Sequence, residues 1–171
     1  KYNLSNSGFG LVAGVRQLTI KRSTLNINPA QGDLITTPDS GIGYVAGVSY
    51  EMPEIALKVL LTQAPGIDIV VPTTVVGSGT VSQPSFTTLE FETGIANNTL
   101  MFGSIHQGEH ESAQVKLNGI GAISSFTDGE KYNIGVGRKF SEKLSGSFSY
   151  TTEEGSSATG TSLLSPTNGT D

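Results

Sequence analysis

Apolar residues recur along this chain at every second position, the period of a strand whose two faces meet different surroundings. In GIGYVAGVSYE (residues 41–51), Ile42, Tyr44, Ala46, Val48 and Tyr50 share one parity, and Gly41, Gly43, Val45, Gly47, Ser49 and Glu51 the other. The same alternation sets Phe9, Leu11, Ala13 and Val15 against Gly10, Gly14 and Arg16. Ile55, Leu57, Val59 and Leu61 alternate with Ala56, Lys58, Leu60 and Thr62. Leu89, Phe91 and Ile95 lie opposite Thr88, Glu90, Glu92 and Gly94. Further on, Tyr132, Ile134, Val136 and Phe140 face away from Asn133, Gly135 and Gly137, and Leu144, Phe148 and Tyr150 from Ser145, Ser147 and Ser149. The pattern predicts about seven strands: residues 9–27, 41–51, 55–69, 86–96, 99–107, 130–140 and 144–152. The first and third are the longest. The fifth is the least regular, because Leu100-Met101-Phe102 breaks the alternation.

The connections between these strands are unequal. Met52-Pro53-Glu54, Ala96-Asn97-Asn98 and Ser141-Glu142-Lys143 are tight turns built from turn-forming residues. Residues 28–40, 64–84 and 107–129, and the tail from Glu153, are long and polar. Short turns at one end and long loops at the other are the pattern of an outer-membrane β-barrel, whose strands need about 9–11 residues to cross the bilayer. On this reading strands one and three project beyond the membrane. No apolar run approaches the length of a membrane-spanning helix. An odd strand count is unexpected for a single-chain bacterial barrel. Lys1-Tyr2 reads as the stub of an earlier strand and residues 165–171 as part of a loop, so the expectation is a stretch of a larger barrel.

Composition agrees with this picture. Of 171 residues 22 are Gly, 36 % are hydrophobic and only 15 % are charged, so both core formers and surface charges are scarce. A barrel wall between lipid and a lumen needs few of either. A secreted β-sandwich or solenoid shares this richness in small polar residues and stays open as an alternative. The net charge of −5 argues against nucleic acid as a partner. The absence of Cys rules out disulfides, thiolate metal sites and Cys nucleophiles.

Four blocks also carry a family resemblance. YVAGVSYEMPEIALKVLLT (residues 44–62) resembles a hairpin of the long-chain fatty acid transporter family of outer-membrane proteins, which includes aromatic-hydrocarbon transporters. TLEFETGIANNTLMFGSI (88–105) and YNIGVGRKFSEKLSGSFSY (132–150) resemble the following hairpins, and SLLSPTNG (162–169) the loop after them. The resemblance implies an antiparallel transmembrane barrel of roughly fourteen strands in the bacterial outer membrane, closed by an N-terminal hatch. It further implies a hydrophobic ligand such as a fatty acid, which binds between outer loops and leaves sideways into membrane lipid. The hatch and the remaining barrel strands have no counterpart in this stretch, and no ligand residue carries over.

Candidate chemistry is sparse. Arg16, Lys58, Glu90 and Glu92 have the parity of the barrel interior and are the lumen-facing candidates, with ion pairing between strands, or with a hatch, as their expected role. Arg138 has the outward parity but stands near a tight turn, where it can reach the interface. Tyr44, Tyr50, Phe91, Phe102, Tyr132, Phe140, Phe148 and Tyr150 are expected to face outward, several of them near strand ends as an interfacial girdle requires. His106, Glu109, His110 and Glu111 have a metal-like spacing, but a strand running into a loop does not bring positions i and i+4 together as a helix does. GFGLVAG and GIGYVAG miss the dinucleotide fingerprint by one position. With no catalytic arrangement, metal or cofactor expected, the chain reads as a channel or transporter wall for hydrophobic small molecules. The alternatives are a barrel whose outer loops bind phage, host or neighbouring subunits, and a secreted β-domain.

Overall fold

The computed structural model describes residues 2–4, 7–28, 32–74, 76–109, 114–124 and 128–154. The described chain is all-β and antiparallel, with a single 3-10 turn as its only helical element. Its main body is an eight-stranded meander in the order β1-β2-β5-β6-β9-β10-β13-β14. The strands are β1 (Tyr2–Asn3), β2 (Phe9–Ile20), β5 (Asp39–Met52), β6 (Leu57–Ala64), β9 (Phe86–Ala96), β10 (Thr99–Gly108), β13 (Gly129–Lys139) and β14 (Ser145–Glu153). No pairing joins β1 to β14, so the sheet stays open among the described residues.

The remaining strands come from the connections. A hairpin of β3 (Thr24–Asn28) and β4 (Gly32–Ile35) lies between β2 and β5. β7 (Ile67–Thr73) and β8 (Gly77–Gln83) form a hairpin between β6 and β9, and β11 (Val115–Leu117) and β12 (Gly121–Ala122) lie between β10 and β13. These last four pair in the order β12-β11-β8-β7. A bridge between Thr36 and Thr73, with Thr74 N–H on the Ile35 carbonyl at 3.2 Å, ties the β3–β4 hairpin to the same unit. Three connections thus make one small β structure, here termed the cap.

Several sequence expectations are corrected by this arrangement. The segment 9–27 is two strands, interrupted at Lys21-Arg22-Ser23, and 55–69 is two strands, interrupted at Pro65-Gly66. The pyrrolidine at Pro65 removes a donor, and Gly66 approaches the Gln83 carbonyl too closely for a side chain (a Cβ would lie 2.8 Å away), so the ladder stops there. Segments 28–40, 64–84 and 107–129 are not simple loops, since each carries strands. The seven-strand count becomes eight in the main sheet, and β1 is the stub read at Tyr2.

The tight turns lie where expected. Pro53–Ile55 forms the 3-10 turn, and Ala56 closes it with φ 51°. Asn98 has φ 58°, tolerable for Asn, and a register shift follows at Thr99/Leu100. β10 itself runs without a shift against β13, so the irregular Leu100-Met101-Phe102 reflects large apolar residues on both faces of one regular strand. Met101 stays on the apolar face, while Leu100 and Phe102 turn to the polar one.

Register makes the two faces of the main sheet explicit. One carries Leu11, Val15, Ile42, Tyr44, Val48, Leu61, Leu89, Phe91, Ile105, Ile134, Val136, Phe148 and Tyr150. Most of these side chains are open rather than packed, with Val15 and Phe148 79 % exposed and Ile42 75 %. The other face carries Gly10, Gly14, Gly43, Gly47, Thr62, Thr88, Ser104, Asn133, Gly135 and Ser149, together with the charges. The buried hydrophobic residues lie in the cap: Leu34, Leu117 and Ile123 in one cluster and Ile67, Ile69 and Val71 in another.

Candidate functional site

The cap sits on the polar face at its loop end. Ile67 and Ile69 of β7 lie over Gly41 and Gly43 of β5, with Leu18 and Ile20 of β2 beside them. The seat needs glycine, because a Cβ at Gly43 would stand 2.6 Å from Ile67 Cδ1 and one at Gly41 2.7 Å from Ile67 Cγ2. Arg16, across the ladder from Gly43, donates a guanidinium hydrogen bond to the Pro65 carbonyl at the bend between β6 and β7. It also lies 6.0 Å from the centre of the Phe86 ring, within cation–π range. Phe86 in turn stacks on His106 at 5.1 Å, and His106 Nδ1 shares a hydrogen bond of 2.8 Å with Thr88. Arg16 therefore anchors the cap rather than standing free on the sheet.

Inside the cap is an apolar cavity of about 250 Å³. Ile20, Leu34, Val71, Val81, Leu117 and Ile123 line it, with residues from all three connections represented. Thr73 also borders it, and its hydroxyl is buried with no hydrogen-bond partner among the described residues. A small apolar volume with one unsatisfied hydroxyl suits an apolar molecule, or part of one, bearing a single hydrogen-bonding atom. The cavity lies below the usual 300–1,000 Å³ of a site that encloses a whole drug-sized ligand.

The other three nominated residues meet near the tight turns. Lys58 pairs with Glu92 across β6 and β9 at N–O 3.4 Å, with side chains 63 % and 39 % exposed. Glu90 lies two residues along the same face, opposite Leu60, and Glu51 is directly across from Lys58 on β5. Arg16 stands apart from this group, by the cap. Solvent screens an ion pair this exposed, so Lys58–Glu92 contributes well under about 1 kcal/mol to stability.

Two further expectations change. Phe102 is not an outward aromatic. Register places it opposite Glu92 and Gly135 on the polar face, where its ring covers Gly135 so closely that a Cβ there would lie 2.5 Å from Cζ. This is cross-strand filling of a glycine gap by an aromatic ring. On the apolar face Phe91 does the same for Gly103, where a Cβ would lie 2.7 Å from Cε1. The other nominated aromatics on β5, β9, β13 and β14 share the apolar face. Phe9 joins them, 4.8 Å from Tyr50 between ring centres. Arg138 stands on that face near the turn, 5.9 Å from the Phe140 ring. His110, Glu111 and residues 162–169 lie outside the described residues. Among those described, no three His, Cys, Asp or Glu side chains group as metal ligands.

Sequence reasoning missed the cap and its cavity. It also missed Ser49 and Glu51 as neighbours of Lys58, although both share the parity of the polar face. No model of a known protein family matches the chain, and no curated protein matches it either.

Proposed function

We propose that the main sheet is a section of wall from a transmembrane β-barrel of the bacterial outer membrane, and that the whole barrel admits hydrophobic small molecules, long-chain fatty acids in the first place. The observation that carries this reading is the inversion of the sheet. Most of its large apolar side chains stand on a face that no described residue covers, while glycine, hydroxyl and charged residues predominate on the other. In water such a continuous apolar face is strongly unfavourable, and in a bilayer it is the required surface. Tight turns at one end and elaborate connections at the other support the same reading. Tyr44 and Tyr50 stand near opposite ends of the apolar stretch of β5, as interfacial anchors do.

The polar face would then look into the lumen, where Lys58, Glu90 and Glu92 tolerate water. The cap would sit over the outer mouth, with its apolar cavity as a first resting place for the ligand. The fatty-acid assignment within this reading comes from the resemblance of the hairpins. Displacement by oleate of a fluorescent fatty acid from the full chain in detergent micelles tests it. Saturable binding that weakens in Thr73→Val and is lost in the cavity-filling Leu34→Trp supports the reading. Non-saturable partitioning, unchanged by either substitution, counts against it.

The organised cap favours a second reading, in which this surface binds a macromolecular partner. A cap tied together by backbone hydrogen bonds is preorganised for recognition. Loss of a partner on replacing residues of β8 and β11, with oleate binding intact, would single that reading out.

A further inference from the structure

We infer that the polar face of the main sheet holds a second binding site, for a small organic ammonium ion, in the recess around Lys58. This recess has a volume of about 360 Å³ and is lined by Ser49, Glu51, Lys58, Glu90, Glu92 and Phe102. It lies toward the tight-turn end of the strands, away from the cap cavity, and it has the opposite chemistry.

Three carboxylates flank one ammonium group there. Register sets Glu51 opposite Lys58 on β5 and Glu92 opposite Lys58 on β9, with Glu90 diagonal to it. Lys58 reaches Glu92 at 3.4 Å. Glu90, Glu92 and Lys58 carry a formal charge of −1 before Glu51 is counted, so the field of the group attracts a further cation.

An acidic group on a strand face can be no more than solvated surface, and a second observation separates this one. Ser49 is only 6 % exposed, yet its hydroxyl has no hydrogen-bond partner among the described residues. It stands on the polar face between Gly10 and Leu60 and lines the same recess. A buried hydroxyl without a partner carries a desolvation cost that a ligand atom can relieve. The Phe102 ring, fixed over Gly135, forms an apolar wall. Carboxylates, a hydroxyl acceptor and an aromatic wall together match a protonated amine on an apolar body. The three carboxylates are spread along the strands and do not group as metal ligands, so the site suits an organic cation rather than a metal ion.

Benzylammonium tests the site, with benzyl alcohol as the neutral control of the same shape. Binding is measured by titration calorimetry on the full chain in detergent micelles at neutral pH, where the amine is charged. Saturable binding of benzylammonium is expected, with no competition from benzyl alcohol. Glu90→Gln, which keeps the shape, should weaken it by about tenfold, the range of one charge-assisted hydrogen bond. Ser49→Ala should weaken it less. Lys58→Met should tighten it several-fold, because the resident cation that competes for the carboxylates is gone. A merely structural role for Lys58 would instead leave affinity unchanged or lower it. Absence of saturable binding to the unaltered chain, or equal affinities in Glu90→Gln and Lys58→Met, would overturn the inference. Should Glu90→Gln fail to fold, the direction of the Lys58→Met change decides.

Discussion

Replacing Gly43 by Val should lift the cap off the sheet while leaving the sheet itself intact. The added Cβ would enter space held by Ile67, 2.6 Å from Cδ1 and 2.8 Å from Cγ1, with Arg16 Nε 3.2 Å away on the other side. Neither neighbour has an easy retreat. Ile67 is 6 % exposed and packed with Ile69 and Val71, and the Arg16 guanidinium is bonded to the Pro65 carbonyl. Overpacking of this kind costs about 1–3 kcal/mol. Because β7 joins the main sheet through the Pro65-Gly66 bend and not through a ladder, the cost should fall on cap docking. Native-state hydrogen exchange reads this directly, since local opening free energies differ between regions. Amides of Ile67–Thr73 should exchange roughly 5- to 150-fold faster, the equivalent of that energy. Amides of Thr99–Gly108, paired on both sides, should hold their rates. Ile67→Ala in the same chain should recover much of the loss, because it empties the contested volume. Unchanged protection of β7, or equal loss in β7 and β10, would refute the glycine seat.

Other substitutions probe the sheet. Ala56→Gly should stabilise the β5–β6 turn by up to about 1 kcal/mol in urea unfolding, since a non-glycine residue at φ 51° carries a left-handed penalty of about 1–2 kcal/mol, partly offset by glycine's entropy; a destabilised variant would contradict this. Gly135→Ala should cost about 1–3 kcal/mol by displacing the Phe102 ring, and Phe102→Leu in the same chain should reduce that cost, so additive losses would contradict the pairing. Ile134→Arg should lower stability in lipid vesicles by about 2–4 kcal/mol, while Ser149→Arg on the opposite face should cost far less. Equal effects of the two would count against a lipid-facing surface.

The two faces of the main sheet were legible in the sequence because a period of two needs no knowledge of partners. The parity of Arg16, Lys58, Glu90 and Glu92 followed from it, and register places all four on the polar face. The cap was not legible, for identifiable reasons. Leu57, Val59 and Leu61 have the same parity as Ile67, Ile69 and Val71, so the run looked continuous. The bend at Pro65-Gly66 folds the second group over the polar face, which alternation alone does not reveal. In GSGTVSQ, the sequence of β8, Gly and Ser argue for a loop, and pairing on both sides by β7 and β11 overrides that preference. Phe102 was misplaced because its ring fills the gap at Gly135 on the polar face, against the rule that large apolar residues share one parity. The recess around Lys58 depended on Ser49, whose burial without a partner among the described residues only the fold discloses.

The lipid-facing reading of the main sheet is tested most directly by nitroxide scanning of β14 in lipid vesicles. Single labels at Ser147, Phe148, Ser149 and Tyr150 report collision rates with oxygen, which concentrates among acyl chains, and with a water-soluble nickel chelate. Phe148 and Tyr150 pair with Val136 and Ile134 on the apolar face, whereas Ser147 and Ser149 pair with Gly137 and Gly135 on the polar one. The account predicts strong oxygen and weak nickel collisions at the two aromatic positions and the reverse at the two serines. Equal nickel access at all four, or recovery of the chain from the aqueous phase, would contradict it.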